Sequence, residues 1–286
     1  MAFPPDISVE FRDLDCDEYV YHYTSRDTAL EHILTGASIR LGLLRNTNDP
    51  RENRTWSFGI SATNPPDPPK SNPECQEWLG ETRQTLERAQ EIIQEKCKLF
   101  CVTMDDPSYS AFADGLTDAK RGFGHSRMWA QYGDSHKGIC LIFRKVNLDE
   151  AINNAFATTH TIYKGPVEYS DNVGQQLMAY ALRQEDIDHH GVENCLVTQR
   201  ERYHKTFFFS KALDWQQEFE YRWIAIGGMN EPEFVPITSA IAGVVVGVDF
   251  PDVYLPSLLK LCEALEIPAA RIGWKNGIPR LKHRYI

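Results

Sequence analysis

Long apolar runs are missing from this 286-residue chain. No window approaches the ~18 uncharged apolar residues of a membrane span, and residues 1–18 carry prolines and acids where a leader would be apolar. Neither a membrane segment nor a secretory signal is expected. A cationic surplus is missing too. Thirty Lys and Arg stand against forty Asp and Glu, a net charge of -10, which argues against a broad basic face for duplex nucleic acid and leaves room for a local basic cleft. Paired cysteines are not evident: the seven are scattered at 16, 75, 97, 101, 140, 195 and 262, as in a reducing, cytoplasmic compartment. Cys97 and Cys101 are read as buried thiols, and no metal set is expected. No Gly-x-Gly-x-x-Gly follows a strand and no Walker-type loop exists, so Rossmann and P-loop readings drop out. Repeats and charge blocks are absent as well.

What is present suits a packed globule, with 42% hydrophobic and 24% charged residues. Tyr19–Tyr23 reads as a strand. A Ser25 or Asp27 cap, the apolar stripe Leu30, Ile33, Leu34 and the stop Gly36 give a helix after it. Ser38–Leu41 is the next strand, and Asn46–Glu52 a loop, with Asn-Asp before Pro as a turn signal. Residues 61–73, with five prolines in thirteen positions, break the chain, and a helix from Glu74 or Cys75 to Lys96 follows. Leu99–Thr103 and Ile139–Phe143 are strands, the second apolar enough to be central. Ser126–Gly133 is a short helix between them, and Asn147 starts another. Short strands are expected at 161–163 and 167–169, helices over 171–182 and 195–209, then a strand at 218–226. Buried strand 241–248, a helix over 255–265 and extended pieces at 267–272 and 280–285 complete the order. The expectation is an α+β fold: one domain over 19–286 with a split, curved mixed sheet flanked by helices, an insertion at 61–96 and an arm at 1–18.

Three places concentrate chemistry. In Tyr21-His22-Tyr23-Thr24-Ser25, period two sets His22 on the side of Thr24, opposite the tyrosines. A histidine at a strand end fixes a hydroxyl or carbonyl without needing charge; the bland reading is a satisfied, half-buried ring. In Arg127–Lys137, Trp129 and Tyr132 share a helical face with glycines alongside; they are either a ligand-stacking surface or core anchors. In Glu218, Glu220 and Arg222 the charges alternate with Phe219, Tyr221 and Trp223. This is either a structural ion ladder or the acidic wall of a cleft, where one carboxylate stabilises a ribosyl cation and its neighbour takes a proton.

These motifs resemble those of DUF2971, a bacterial and phage-associated family of unknown function. The carriers are Tyr21–Ser25, Asn48-Asp49-Pro50-Arg51-Glu52, Met128–Gly133 with His136–Phe143, and Trp215 with Glu218–Arg222, over roughly residues 19–250. The first strand with its histidine is more distantly similar to ADP-ribosyltransferases, which carry a first-strand histidine on the NAD ribose and a late-strand glutamate. That resemblance implies Glu220, Glu218 and His22 as catalytic residues, with His22, Tyr23, Thr24, Asn48, Arg127, Trp129 and Tyr132 around NAD. The helical Trp-x-x-Tyr-Gly segment departs from the usual middle motif of that superfamily.

The expectation is therefore transfer of ADP-ribose from NAD to a macromolecular acceptor, protein or nucleic acid. A toxin or phage-defence setting, with an inhibitory or regulatory partner protein, follows from the resemblance alone. Two alternatives stand beside it: a non-catalytic nucleotide- or protein-binding module, and a metal-dependent nuclease using Asp49, Glu52 and the glutamate pair.

Overall fold

β10 (Glu220–Gly227) runs through the middle of the molecule with every residue but the last buried. It pairs antiparallel with β4 (Cys97–Thr103) along seven residues, from Glu220↔Thr103 to Ile226↔Cys97, and its other edge pairs with β6 (His160–Pro166). The opposite edge of β4 is divided. β1 (Tyr19–Thr24) meets it only at Tyr21↔Thr103, and β2 (Ser38–Leu43) only at Gly42↔Leu99 and Leu43↔Lys98. Phe100, Cys101 and Val102 thus have no strand partner on that edge, and the sheet splits there into two wings. One wing is β2 with β11 (Glu233–Pro236). The other runs from β1 through β5 (Ile139–Arg144), β12 (Ile241–Val246) and β13 (Ala269–Lys275) to β14 (Ile278–Lys282). Only β12 and β13 pair in parallel in this sheet, so it is mixed, in an α+β fold. This is a computed structural model; it describes residues 18–54, 56–61, 80, 83–110, 118–172 and 177–282. The arm expected over 1–18 (Glu18 apart), most of the Pro-rich 61–73 segment, residues 74–79, 81 and 82 of the helix expected to Lys96 and residues 283–285 of the last extended piece lie outside them; the described end of that helix runs over Ala89–Gln94.

The alternation of side chains explains the packing. Val20, Phe100, Val102, Trp223, Leu141 and Phe143 face one core, covered by the helices Thr28–Leu34, Lys145–Phe156 and Leu255–Ala264. Tyr21, Tyr23, Cys140, Ile142 and Val245 face the other way, onto Phe123, Met128 and Trp129. Farther along that second face, Leu99, Ile224 and Ile226 meet Ala89, Ile93, Leu196 and Phe207–Phe209. Burying an aromatic or aliphatic side chain of this size stabilises by roughly 1.5–3 kcal/mol, so both faces contribute heavily.

The helix 28–34 is capped by Ser25, whose hydroxyl accepts from the Thr28 N–H; Asp27 makes no side-chain cap. Several local expectations are corrected. Asn46–Glu52 is not all loop: Asp49 caps a short helix Pro50–Asn53 by accepting from the Arg51 N–H, with Pro50 at the first position. The helix expected over 171–182 gives way, at its described C-terminal end, to a 3-10 turn at Met178–Tyr180 and β8 (Ala181–Arg183), which pairs with β3 (Gly59–Ser61). The 195–209 helix breaks at Tyr203 into Val192–Arg202 and His204–Phe208. No described helix is long and apolar enough to cross a membrane.

Candidate functional site

A cavity of about 240 Å³ occupies the split. It is bordered by three consecutive residues of β1, Tyr21 to Tyr23, and three of β4, Cys101 to Thr103. A face of a paired sheet offers only alternate residues, so this cavity opens between strand edges. The segment after β2, Asn46 to Asp49 with Glu52, forms a further wall. The remaining polar border is Tyr132, Lys211, Glu218, Glu220 and Arg222.

Glu218 and Glu220 are neighbours for a reason other than strand periodicity. The strand begins only at Glu220; Glu218 ends a 3-10 turn over Leu213–Glu218, and Phe219 between them is left-handed at φ 45. That residue turns the chain so that both carboxylates meet Lys211 of β9 (Ser210–Lys211), whose Nζ lies 2.8 Å from Glu218 Oε2 and 2.7 Å from Glu220 Oε2. Arg222 grips Glu220 with two bonds, Nε to Oε1 at 2.6 Å and Nη2 to Oε2 at 3.1 Å. Its Nη1 donates to Glu52 and to the Phe208 carbonyl. The Tyr132 hydroxyl donates to Glu218 Oε1 at 2.8 Å. The Tyr169 hydroxyl, on β7 (Glu168–Tyr169), accepts from the Glu220 N–H at 2.9 Å.

The electrostatics follow from this wiring. Burial alone would raise the Glu220 carboxyl, but Arg222 and Lys211 outweigh it and hold the acid down at about 2. Burial would likewise lower Lys211, and the carboxylates of Glu220 and Glu218 keep it raised and charged. Glu52 goes the other way: burial pushes its carboxyl up despite Arg222. Thr47 Oγ1, Asp49 Oδ2 and Glu52 Oε2 are buried without a hydrogen-bond partner. Four carboxyl groups, Asp49, Glu52, Glu218 and Glu220, face two cations, so the cavity wall is acidic.

His22, Tyr23, Asn48, Tyr132, Glu218 and Glu220 of the expected site border this one cavity. The register separates two of them by face. Tyr21 and Glu220 both pair with Thr103 and so share its side, and His22 points to the opposite one, where its ring lies 4.7 Å from Phe100. His22 reaches the cavity at the strand gap. Its Nδ1 is 3.0 Å from the Cys101 carbonyl, which only accepts, so Nδ1 carries the proton. The ring thus replaces a missing ladder partner, and burial lowers its pKa, keeping it neutral. His22 and Glu220 therefore border the one cavity from opposite faces of the sheet.

Three other expected ligands of NAD are not at the cavity. Trp129 is fully buried, its indole N–H donating to the Phe123 carbonyl at 2.8 Å: a core anchor. Thr24 is buried and does not border the cavity. Arg127 donates to the Asp214 carbonyl at 2.8 Å and lies over Trp215, bracing the turn that delivers Glu218. Lys211 was missed; the available signal was a lone lysine after Phe207-Phe208-Phe209-Ser210, since a charge inside an apolar run demands a partner. Among the described residues no three His, Cys, Asp or Glu side chains converge as a metal set. Glu52, Glu218 and Glu220 are instead engaged by Lys211 and Arg222.

Residues 128–223, which carry Trp129, Tyr132, Lys211, Glu218 and Glu220, match the family model described as a protein of unknown function (DUF2971). No curated protein and no solved structure is significantly similar to the chain.

Proposed function

We propose that this chain, whose residues 128–223 carry the DUF2971 match, cleaves the N-glycosidic bond of NAD and transfers ADP-ribose to a macromolecular acceptor. The observation that carries the reading is the charge of the cavity wall, four carboxyl groups against two cations, with Glu220 ionised at any ordinary pH. As the bond from C1′ to the nicotinamide nitrogen breaks, the electron pair leaves with nicotinamide and positive charge develops on the ribose. A fixed carboxylate in a dry site favours that charge without having to reorganise. Nicotinamide leaves neutral, the acceptor's nucleophilic atom bonds to C1′, and its proton passes to Glu218. Tyr132 and Lys211 hold that carboxylate in place. The gap beyond Tyr21↔Thr103 supports the reading further, because it opens the cavity between strand edges beside Glu220.

A second reading has its own observation: every oxygen of Glu218 and Glu220 already has a cationic or hydroxyl partner. That fits a binding module in which the network is structural. Incubation of the full chain with labelled NAD and cell lysate separates the two. Wild type is expected to label an acceptor and release nicotinamide. Glu220→Gln is expected to keep its affinity for NAD and lose turnover by about 10²–10³, the cost of removing one preorganised electrostatic contact. NAD bound but intact in every fraction decides for the module. The transferase would be a cytoplasmic effector, with a partner protein restraining it.

A further inference from the structure

A second cavity of about 180 Å³ shares Glu52 with the first and has the opposite character. Its border carries two arginines, Arg51 and Arg54, and the hydroxyl residues Thr206 and Ser210, beside the aromatic residues Trp56, Tyr180 and Phe207. Its one acid, Glu52, is bonded to Arg222. Arg51 donates from Nη1 to the Ser170 carbonyl at 2.9 Å, and its Nη2 sits 3.6 Å from the exposed Asp171 carboxylate, a loose contact on a partly exposed guanidinium. Arg54 is exposed, and among the described residues it makes no ion pair. Trp56 is fixed behind them by its indole N–H, which donates to the Arg51 carbonyl at 2.6 Å, and by stacking on Phe207.

Two forked cations with hydroxyls alongside are the donor set for phosphate oxygens, which a guanidinium meets two bonds at a time. The acidic cavity is wrong for a phosphate and right for a cation, so adjoining cavities divide along the segment 46–54. NAD divides the same way: a cationic nicotinamide riboside at one end, a diphosphate next to it. We infer that the second cavity is the diphosphate subsite for the dinucleotide whose ribosyl end the first cavity takes. This rests on the transferase reading, and it puts the phosphate contact on Arg51 and Arg54, while Arg127, expected around NAD, is committed to the turn at Asp214.

Calorimetric titration of the full chain with sodium pyrophosphate, ADP and nicotinamide riboside tests it. Pyrophosphate and ADP are expected to bind wild type, and Arg54→Gln to weaken both by about tenfold, one charge-assisted contact. Nicotinamide riboside should bind both proteins alike. Arg54 is the primary variant because it is exposed; Arg51→Gln added to it should weaken pyrophosphate further. Pyrophosphate that fails to bind, or binds the double variant as well as wild type, overturns the subsite. So does a 5′-phosphorylated oligonucleotide that binds through Arg54 where ADP does not, since the phosphate would then belong to nucleic acid. Arginine-dependent pyrophosphate binding without NAD consumption supports the subsite and defeats the transferase reading alone. NAD consumed with an unchanged KM by the double variant defeats the subsite alone.

Discussion

Lys211 is the residue on which the acidic wall turns. It is buried, and its one ammonium group spans Glu218 and Glu220. Lys211→Met leaves two like charges adjacent in a dry site with Arg222 gripping only one, and a broken buried pair costs about 3–5 kcal/mol. The variant should unfold at a markedly lower denaturant midpoint than wild type. Its pH profile should differ as well. Glu220 is held at about 2 when folded against an ordinary 4.5. Its contribution is fully present above the unfolded value and lost as pH falls from there towards 2, on the order of 3 kcal/mol. Lys211, raised when folded, contributes fully below its unfolded value and loses that contribution only as pH rises through its folded one. Denaturant titrations from pH 6 to 2 should show wild type losing stability in acid more steeply than Glu220→Gln, whose remaining slope comes from other lowered carboxyls such as Glu233. An equal acid slope in both would place the titrating groups elsewhere. Glu220 and Arg222 were legible as a same-face pair because period two needs only the sequence. Glu218 joined them in the sequence for the wrong reason, and Lys211 was invisible, because both depend on the left-handed Phe219 and on where a two-residue strand docks.

At the scale of elements, the seam between β1 and β4 decides whether there is a cavity at all. One paired position holds the two strands, and just beyond it His22 bonds to the Cys101 carbonyl across the gap. Removing the ring by His22→Ala forfeits that bond and the contact with Phe100, at about 1–3 kcal/mol for the carbonyl left without its partner. Hydrogen exchange should quicken at amides of 100–103 on the seam. The β10–β6 ladder, paired over seven residues, should keep its protection. Uniform quickening across both would mean that His22 supports global stability and not this seam. The central strands β5, β10 and β12 and the split, mixed sheet were readable from apolar runs and from the strand count. The seam was not, because it is made by an absence of pairing, and residues 100–102 carry the same alternation as any paired strand. The same limit hid the face of His22: period two places it opposite Tyr21, but only the register Tyr21↔Thr103↔Glu220 tells which of those faces Glu220 takes.

At the scale of the molecule, the wing β2–β11 carries the segment 46–54 that divides the acidic from the basic cavity, so its attachment to the rest of the sheet bears on both. β2 touches β4 at two positions only. The wing is fastened at the far end of β10 by another buried charge: Lys98 of β4, fully buried, donates to the Gly227 carbonyl at 2.6 Å and pairs with Glu233 of β11 at 2.9 Å. His160 of β6 approaches the same Glu233 oxygen at 3.1 Å. The two strands that flank β10, β4 and β6, thus both hold the wing through one carboxylate of β11. Glu233→Gln keeps the shape and takes away the charge, leaving Lys98 only carbonyl partners, so the fastening weakens by about 1–3 kcal/mol. If the wing positions the dividing segment as a rigid body, this distant change should weaken pyrophosphate binding at Arg51 and Arg54 as well as lowering the melting temperature. Hydrogen exchange should quicken across 38–43 and 233–236 in the same variant. A lower melting temperature with unchanged pyrophosphate affinity would show that Asp49 and Pro50 hold the segment locally, through the helix cap at Arg51, without help from the wing.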